Sequence, residues 1–313
     1  MSFAHLLDLP LVGPGGEPID LHRTILSHGV ASLPPARIDE AAGIMTVPIS
    51  LRDGRVRVVR VAAGSPGSAA VSIVGPPPDA ADRDAIARGV RHLLRFDADL
   101  SGFYRTVASD PDLAWAAAGA GRMIRSATVF EDVVKTICTT NCAWSATERM
   151  VGALVAHLGA AADDLPHDDL PTRVFPTPQA MAEAPEAFYR DVARAGYRGR
   201  YLRTLAASVA AGEVDLEALA ASDLPTDEVE RRLRALPGVG PYAAAHILTL
   251  LGRYDRLIFD SWTRPTYRRL SGHDDAGERD IEARFAPYGP WAGLAFWLYL
   301  TRRWVPAEEQ VAG

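Results

Sequence analysis

The chain has 313 residues, of which 48% are hydrophobic and 23% charged, a balance typical of a folded globular protein and unlike that of a disordered chain. Its 33 basic and 39 acidic residues give a formal net charge of −6, so binding to a polyanion would need a local basic patch rather than bulk charge. Lys135 is the single lysine, so any reaction that needs a lysine amine has one side chain to use.

The two cysteines, Cys138 and Cys142, are too few for a disulfide framework. They also exclude a zinc site or an iron–sulfur cluster held by four cysteines. The N-terminus lacks the basic and apolar segments of a signal peptide, and the most apolar run, residues 291–300, is too short to span a bilayer. We therefore expect a cytoplasmic protein that makes no contact with a membrane.

β-Strand patterns are confined to the N-terminal part of the chain, before the prolines that follow Gly75. Residues 46–51 and 56–61 alternate or are rich in β-branched side chains, and Asp53-Gly54 between them is typical of a hairpin turn. Residues 71–74 form a third short run, which Gly75 and three prolines end. These patterns predict a small antiparallel sheet with some helix, within an N-terminal α+β domain of residues 1–108.

Helical periodicity begins at Asp79, which we expect to cap a helix that extends through Leu94. The apolar face of this helix consists of Ile86, Val90, Leu93 and Leu94. Further helices joined by short loops are predicted at residues 130–158, 185–195, 201–211, 227–236, 242–251, 263–270 and 291–304. The predicted fold is mainly α, with the N-terminal sheet domain followed by a helical domain of residues 109–313.

Charge is unevenly distributed along the helical part. Residues 213–230 hold seven acids and no base, residues 192–212 hold four arginines and no acid, and residues 231–273 hold eight arginines against two acids. A solvated surface is the ordinary explanation of such clusters. A polyanion-binding surface is the alternative, because a motif suited to phosphate lies inside the second basic stretch.

That motif is Leu236-Pro-Gly-Val-Gly-Pro-Tyr242, between two predicted helices. Gly238 and Gly240 permit a tight turn that exposes backbone N–H groups at a helix N-terminus, which suits one phosphate. An ordinary helix–loop–helix turn with a glycine at the end of the first helix would contain the same residues.

A carboxylate lies downstream of Tyr242, where Asp260 ends a short apolar run and precedes another predicted helix. Taken alone, Asp260 could be a helix N-cap. The pairing of the glycine hairpin with this downstream aspartate is more specific than either feature.

The pairing resembles the helix–hairpin–helix (HhH-GPD) superfamily of DNA glycosylases, with the helix–hairpin–helix at about residues 228–252. The chain is similar to its 3-methyladenine DNA glycosylase II and 8-oxoguanine DNA glycosylase branch. Residues 137–142 (Ile-Cys-Thr-Thr-Asn-Cys) resemble the segment that plugs the duplex in the 8-oxoguanine enzymes, and residues 196–201 (Gly-Tyr-Arg-Gly-Arg-Tyr) resemble their wedge. The strand-rich N-terminus resembles the antiparallel domain of the same branch.

The resemblance implies a DNA-binding surface. The amides around Gly238, Val239 and Gly240 would hold a DNA phosphate, directly or through a bound monovalent cation. Asn141 would fill the gap left by a flipped nucleotide, Tyr197 would wedge into the base stack, and Arg198 would reach the widowed base. The full predicted set is Gly238, Val239, Gly240, Asn141, Tyr197, Arg198, Arg203 and Trp262.

Ordinary surface roles are the alternative for Tyr197 and Arg198, a loop aromatic and a surface arginine. Their position in the basic stretch 192–212 favours the DNA-binding interpretation. We expect Arg198 and Arg203 to contribute both to DNA affinity and to its salt dependence.

The resemblance also makes Asp260 the catalytic carboxylate. Cleavage of an N-glycosidic bond passes through a cationic sugar, which a fixed carboxylate stabilises while it orients or deprotonates water. The base must first be rotated out of the helix, which costs roughly a few kcal/mol and least for damaged bases. The plug and wedge residues would offset that cost.

One position departs from the lyase-competent members of the superfamily, which carry a lysine nucleophile two residues after the second hairpin glycine. Tyr242 occupies that position here, and Lys135 lies far away in sequence. A Schiff-base mechanism is therefore not expected. The sequence predicts an enzyme without lyase activity, which uses water as the nucleophile and leaves an abasic site.

The base pocket also departs from the 8-oxoguanine pattern. Residues 289–293 resemble the start of that branch's pocket helix, but Phe296 stands where a glutamine would face the base. The predicted pocket consists of Tyr242, His246, Phe296, Trp297 and Leu300. Core packing is the alternative for these aromatic residues and for His246. An aromatic pocket suits a cationic alkylated purine, because stacking on such a base gains about 0.5–2 kcal/mol of cation–π energy.

These features predict a monofunctional DNA glycosylase of base excision repair that acts on 3-methyladenine or 7-methylguanine in damaged double-stranded DNA. An oxidised purine of the 8-oxoguanine type is the alternative substrate. A non-catalytic DNA-damage-binding protein is an alternative of another class, against which Asp260 argues, and a purely structural helical protein is a third. We expect a monomer without a cofactor and without side-chain metal ligands, associated with the nucleoid when bound to DNA.

Overall fold

The computed structural model describes residues 2–162 and 170–304. The N-terminal part forms a five-stranded antiparallel sheet in the order β1-β5-β4-β3-β2. The strands are β1 (Ala4–Pro10), β2 (Arg37–Asp39), β3 (Ile44–Ser50), β4 (Val56–Ala63) and β5 (Ser68–Ile73). The three predicted strands are confirmed. The edge strands β1 and β2 were missed because β2 has only three residues and β1 does not alternate.

The predicted hairpin joins β3 to β4. Val47 lies opposite Val59, and Leu51 N donates to Arg55 O at 2.8 Å across the turn. Gly54 has a φ of 84° within this turn, a conformation that favours glycine.

Helix α2 (Ala80–Leu93) packs on the sheet. Asp79 accepts a hydrogen bond from Asp82 N at 2.8 Å, which confirms the predicted N-cap. Ile86 and Val90 are fully buried in the hydrophobic cluster that contains Val59. The predicted apolar face of this helix therefore forms the core of the N-terminal part, beside the short helix α1 (Leu21–Ile25).

Helices make up most of the remaining described chain. They are α3 (Ser101–Val107), α4 (Val129–Thr139), α5 (Trp144–Leu158), α6 (Pro178–Glu183), α7 (Arg198–Ala210), α8 (Leu216–Ala220), α9 (Thr226–Arg234), α10 (Pro241–Leu250), α11 (Thr263–Ser271), α12 (Glu278–Phe285) and α13 (Ala292–Thr301). The predicted fold class, mainly α after an antiparallel sheet, is confirmed.

The single helix predicted at residues 130–158 is wrong, because the chain breaks into α4 and α5. Thr140 is extended, with a ψ of 132°, and Asn141 has a φ of 46°. The Thr140 hydroxyl donates to Ile137 O at 2.8 Å, a local bond that competes with helix continuation. The break places Asn141 at the tip of an exposed loop.

The helix predicted at residues 185–195 is present in a shorter form, at residues 186–192. Residues 188–192 of this segment form one turn of π-helix. A separate helix, α6, precedes it and begins after Thr177, whose side chain accepts from Ala180 N. Thr177-Pro178 carries the start signal that the sequence prediction overlooked, a capping threonine followed by proline.

Two hydrophobic clusters hold the helices together, and α10 contributes to both. Ile247 belongs to the cluster around α4 and α5, whereas Ala245 belongs to the cluster around α13. Tyr242 is partly buried against both clusters. The residue that follows the glycine hairpin therefore lies where the two clusters meet.

A buried ion pair fastens the N-terminal segment to the helical part. Arg122, which is fully buried, donates to Glu17 at 2.5 Å, and Glu17 also accepts from Leu100 N at 3.0 Å. Burial alone would raise the pKa of Glu17, but these hydrogen bonds and the Arg122 charge outweigh it and lower the pKa. Within residues 2–162 and 170–304, no helix has the length and apolarity needed to cross a membrane.

Candidate active site and nucleic-acid interface

The glycine hairpin joins α9 to α10 and exposes backbone amides at the start of a ten-residue helix. Gly238 has a φ of 81°, and Gly240 is the N-cap of α10. Val239 N donates to Leu236 O at 3.2 Å, whereas neither Gly238 N nor Gly240 N makes a backbone hydrogen bond within the described chain. Of the three amides expected to face a phosphate, those of Gly238 and Gly240 remain available.

The hairpin is pressed against α7 and α4. A Cβ atom at Gly238 would lie 2.9 Å from the ring of Tyr201 and 3.3 Å from the side chain of Ile137. The turn is therefore fixed relative to the start of α7, where Tyr197 lies.

Asp260 is held in one orientation at the start of α11. Its Oδ1 accepts hydrogen bonds from Trp262 N at 2.7 Å and Thr263 N at 2.6 Å, and the Thr263 hydroxyl accepts from Asp260 N at 2.9 Å. Thr263 is fully buried, so this reciprocal bond is shielded from water. No hydrogen bond to Oδ2 of Asp260 comes from the described residues, which leaves that oxygen for water or substrate.

Tyr242 lies close enough to Asp260 for the carboxylate charge to act on its phenol. Burial raises the pKa of the Tyr242 phenol, the hydrogen bond to Thr139 opposes the rise, and the charge of Asp260 adds to it. The Tyr242 hydroxyl is 3.4 Å from the Thr139 hydroxyl. The phenol is therefore neutral at physiological pH and can donate a hydrogen bond.

Two histidines lie beside Tyr242. His246 lies one turn after Tyr242, with ring centroids 6.1 Å apart, and His28 meets His246 edge-on at 5.8 Å. His28 Nε2 is 2.7 Å from Ile124 O, which can only accept, so this nitrogen carries the proton and Nδ1 carries a lone pair. His28 Nδ1 and His246 Nε2 are buried and have no hydrogen-bond partner within the described residues.

Both imidazoles are neutral at physiological pH. Burial lowers the pKa of His246 to about 4. Burial and then the proximity of His246 lower the pKa of His28 to about 3. A neutral imidazole with an unpaired nitrogen can hydrogen-bond the polar edge of a base without repelling a cationic one.

The pocket residues expected on α13 separate into two groups. Trp297 faces the site region: its Nε1 donates to Ser27 O at 2.8 Å, beside His28. Phe296 instead is fully buried, with its ring 5.7 Å from Phe259 and 5.2 Å from Phe285. Phe296 is thus packed in the hydrophobic core, and Leu300 is buried in the same cluster. The neighbouring residues on a helix point to different sides, which explains the difference.

Three tryptophans form an aromatic cluster, and one of them, Trp262, follows Asp260 by two residues. The Trp262 ring is 5.8 Å from that of Trp297 and 5.6 Å from that of Trp304. Trp262 is 37% and Trp304 43% exposed, so the cluster presents aromatic surface to solvent next to the carboxylate.

The expected plug and wedge residues are both exposed. Asn141 lies at the tip of the α4–α5 loop, and Tyr197, which is 55% exposed, precedes α7 with its ring 5.9 Å from that of Tyr201. These placements are consistent with insertion of both side chains into a duplex.

Arg198 is not placed as expected for a residue that contacts the orphaned base. It is 6% exposed, its guanidinium donates to Thr140 O, and its Cζ lies 4.6 Å from the centre of the Tyr197 ring. Arg198 thereby connects the α4–α5 loop to the wedge. This placement does not favour direct contact with an orphaned base. Arg203, in contrast, is exposed.

The Lys135 side chain, on α4, is buried and its amine is occupied by other groups. It is 3% exposed, pairs with Glu131 at 2.7 Å, and donates to Leu33 O at 3.4 Å. These contacts direct its amine toward Glu131 and Leu33, whereas Tyr242 occupies the position after the hairpin.

The structure adds residues to the site that the sequence did not indicate. His28 comes from the N-terminal part, Thr139 from the end of α4, and Thr263 and Trp304 from the surroundings of Asp260. Thr263 could have been found from sequence, since a threonine three residues after an aspartate suits a reciprocal cap. No local signal marks His28, which is brought there by tertiary packing.

Neither the site nor any other part of residues 2–162 and 170–304 contains three or more histidine, cysteine or acidic side chains placed to hold a metal ion.

Known structures share this architecture. A 3-methyladenine DNA glycosylase from Archaeoglobus fulgidus superposes with a TM-score of 0.71 at 20% identity, over 96% of this chain and 100% of the other. MBOgg1, in complex with a low-affinity DNA ligand, gives 0.70 at 19% identity, over 96% of this chain and 99% of the other.

The chain has the helix–hairpin–helix DNA glycosylase fold. The 8-oxoguanine glycosylase/lyase of Clostridium acetobutylicum, without DNA, shares it over 81% of this chain and 87% of the other, with a TM-score of 0.61 and 18% identity. No protein-family model and no curated protein sequence matches the chain. The glycosylase fold expected from the hairpin and Asp260 is therefore confirmed by structural similarity across most of the chain.

Proposed function

We propose that this protein is a monofunctional DNA glycosylase that hydrolyses the N-glycosidic bond of a flipped alkylated purine in duplex DNA. The observation that carries the proposal is the geometry at Asp260. One carboxylate oxygen is fixed by two backbone N–H groups, and the other has no protein partner within the described chain. Structural similarity to DNA glycosylases along almost the whole chain supports the same function.

The proposed reaction uses Asp260 twice. As the base departs, its carboxylate stabilises the positive charge that develops on the deoxyribose. The same carboxylate then orients water and accepts its proton as the water oxygen bonds to the anomeric carbon. The products are a free base and an abasic site.

DNA would be held by three sets of groups. The Gly238 and Gly240 amides, at the positive end of α10, would bind a phosphate next to the lesion. Tyr197 and Asn141 would occupy the space that the flipped nucleotide leaves. The exposed Arg203 would add attraction to the backbone.

Two features support an alkylated purine as the substrate. The aromatic cluster of Trp262, Trp297 and Trp304 offers electron-rich surface beside Asp260, which favours a cationic base. The neighbouring imidazoles of His28 and His246 are neutral, so they do not repel it.

An oxidised purine is the second candidate. His28 Nδ1 and His246 Nε2 are buried without partners, and a base rich in hydrogen-bonding groups would satisfy both. Parallel assays with duplexes that contain 7-methylguanine, 3-methyladenine or 8-oxoguanine distinguish the two substrate classes. Release of the oxidised base alone would contradict the alkylated-purine assignment.

Asp260→Asn tests the catalytic assignment. Loss of the carboxylate charge removes the group that stabilises the sugar cation, so we expect base release to slow by at least a hundredfold. Asp274→Asn, at an exposed aspartate, is the matched control and should behave as wild type. Equal release by Asp260→Asn and wild type would disprove the mechanism, and binding to every lesion without release would indicate a damage-binding protein.

Borohydride trapping tests the absence of lyase chemistry. A lyase forms an imine between a lysine amine and the abasic sugar, and borohydride reduces this imine to a stable adduct. With Tyr242 after the hairpin and Lys135 buried against Glu131, we expect no protein–DNA adduct. The glycosylase/lyase of Clostridium acetobutylicum serves as the positive control. An adduct that disappears in Lys135→Gln would overturn the proposal.

A further inference from the structure

A large cavity lies between the sheet, α2 and α4. Its volume is about 830 Å³, which is within the range of sites that enclose small organic ligands. Asp260, Tyr242 and Trp297 are not among the residues that line it. The cavity therefore lies beside the proposed active site, and His28 lines both.

The walls of this cavity are mostly apolar. Met45, Val47 and Ile49 of β3 line one side, and Phe130 and Phe175 line another. The side chains of Met45, Val47, Phe130 and Phe175 are buried. Such a surface favours an occupant with an aliphatic or aromatic body.

The buried ionic groups of the α4 wall are satisfied by their own neighbours. Lys135 and Glu131 neutralise each other at 2.7 Å, and Asp132 accepts from Ser126 N at 3.0 Å. Burial raises the pKa of Asp132 to about 6. At neutral pH this wall therefore carries one net negative charge, that of Asp132.

The α2 side of the cavity holds two arginines, more positive charge than the α4 wall holds negative charge. Arg125 lines the cavity, and its Nε donates to His92 O at 3.0 Å. Arg88, also a lining residue, precedes His92 by one helical turn. Within the described chain, neither arginine forms an ion pair with a carboxylate. Burial and then the charge of Arg95 lower the pKa of Arg125, and the charge of Asp132 opposes this change.

We propose that this cavity is a binding site for a small organic anion, whose apolar body lies between β3 and the two phenylalanines and whose carboxylate or sulfonate pairs with Arg125 and Arg88. The binding is non-covalent. An anion at this position offsets the net positive charge of the lining, and the apolar walls supply the affinity for the rest of the molecule. Neither arginine belongs to the proposed active site, so this binding does not depend on base release.

Titration calorimetry with dodecanoate and dodecan-1-ol tests the charge requirement on the full chain, because the two molecules share one apolar body. We expect dodecanoate to bind at least tenfold more tightly than the alcohol. Arg125→Gln should remove that preference and leave binding of the alcohol unchanged. Arg83→Gln, at an exposed α2 arginine outside the lining, is the matched control and should bind as wild type. Equal affinities for acid and alcohol, or no binding of either, would overturn the proposal.

A variant-free measurement locates the ligand. With methyl-labelled methionine, a nitroxide-labelled fatty acid should broaden the signal of Met45, which lines the cavity, more strongly than that of Met150, which is buried in α5 outside the lining. Broadening of Met150 without Met45 would place the ligand elsewhere and contradict the assignment. Val47→Trp, which fills the space, should abolish the Met45 effect in protein that retains its circular dichroism spectrum.

Discussion

At the scale of single residues, the carboxylate of Asp260 is fixed by the backbone that begins α11. Oδ1 accepts hydrogen bonds from Trp262 N and Thr263 N, and the Thr263 hydroxyl accepts one from Asp260 N. A helix cap and a catalytic carboxylate are thus compatible in one residue, because each oxygen serves one purpose. Capping removes rotational freedom from the group that must face the developing sugar cation.

Thr263→Val tests whether this orientation matters. The substitution keeps the shape but leaves Asp260 N without its buried acceptor, which costs about 1–3 kcal/mol. We expect the single-turnover rate of base release to fall about tenfold while DNA affinity stays unchanged. Thr266→Val, at another buried threonine of α11, is the control. A wild-type rate for Thr263→Val would show that Asp260 does not need this support.

At the scale of elements, Arg198 connects α7 to the loop between α4 and α5. Its guanidinium donates to Thr140 O and lies over the ring of Tyr197. Thr140 precedes Asn141, which adopts a left-handed conformation with a φ of 46°. The proposed plug and wedge are therefore held by one arginine, whose removal would free both before DNA binds.

Arg198 and Arg203 should consequently respond differently to mutation. Arg198→Ala should weaken DNA binding by releasing the loop, with little change in the salt dependence of affinity, because no phosphate contact is lost. Arg203→Ala should weaken binding and reduce the slope of log affinity against log salt by about 0.9. Titrations at several salt concentrations measure both values.

Arg190→Ala is the control for this pair, since Arg190 is exposed and already bound to Asp191. A reduced slope for Arg198→Ala would return that residue to the direct phosphate-binding role and contradict the proposed connection.

At the scale of the whole molecule, stability depends on buried groups that resist protonation. Burial lowers the pKa of His246 to about 4 and, together with the proximity of His246, that of His28 to about 3, against 6.5 for an unperturbed histidine. Below pH 6.5 the unfolded chain therefore binds protons that the folded chain does not. Asp132 acts in the opposite direction below pH 6, because burial raises its pKa.

The free energy of unfolding should therefore decrease on acidification. Between pH 7 and pH 5, each of the two histidines lowers the free energy of unfolding by about 2 kcal/mol, and Asp132 raises it by about 1 kcal/mol. The net decrease is about 2–3 kcal/mol. Urea unfolding at the two pH values measures this loss. His246→Asn removes one of the two histidines, so its loss on acidification should be clearly smaller than that of wild type. His157→Asn, at an exposed histidine, should match wild type. Equal sensitivity of His246→Asn and wild type would exclude His246 as a source.

Local patterns were sufficient to predict the parts of the site that are local in the chain. Gly238 and Gly240 in a short turn, Asp260 before a helix and Tyr242 after the hairpin all depend on backbone preferences within a few residues. The sheet hairpin and the cap at Asp79 are similar cases. The helix end at Thr140 was missed, because its side-chain hydrogen bond competes with an otherwise apolar period. The helix start at Thr177 was missed although a capping threonine followed by proline marks it.

What only the tertiary structure decided is which distant groups meet. His28 reaches His246 although the two lie far apart in the chain, and Arg198 turns inward to Thr140 although its sequence context resembles a surface basic stretch. Phe296 and Trp297 are adjacent in sequence, yet one is packed in the core and the other faces the site region. A sequence specifies residue types and local backbone states by itself, whereas burial and partner choice follow from how all the elements pack.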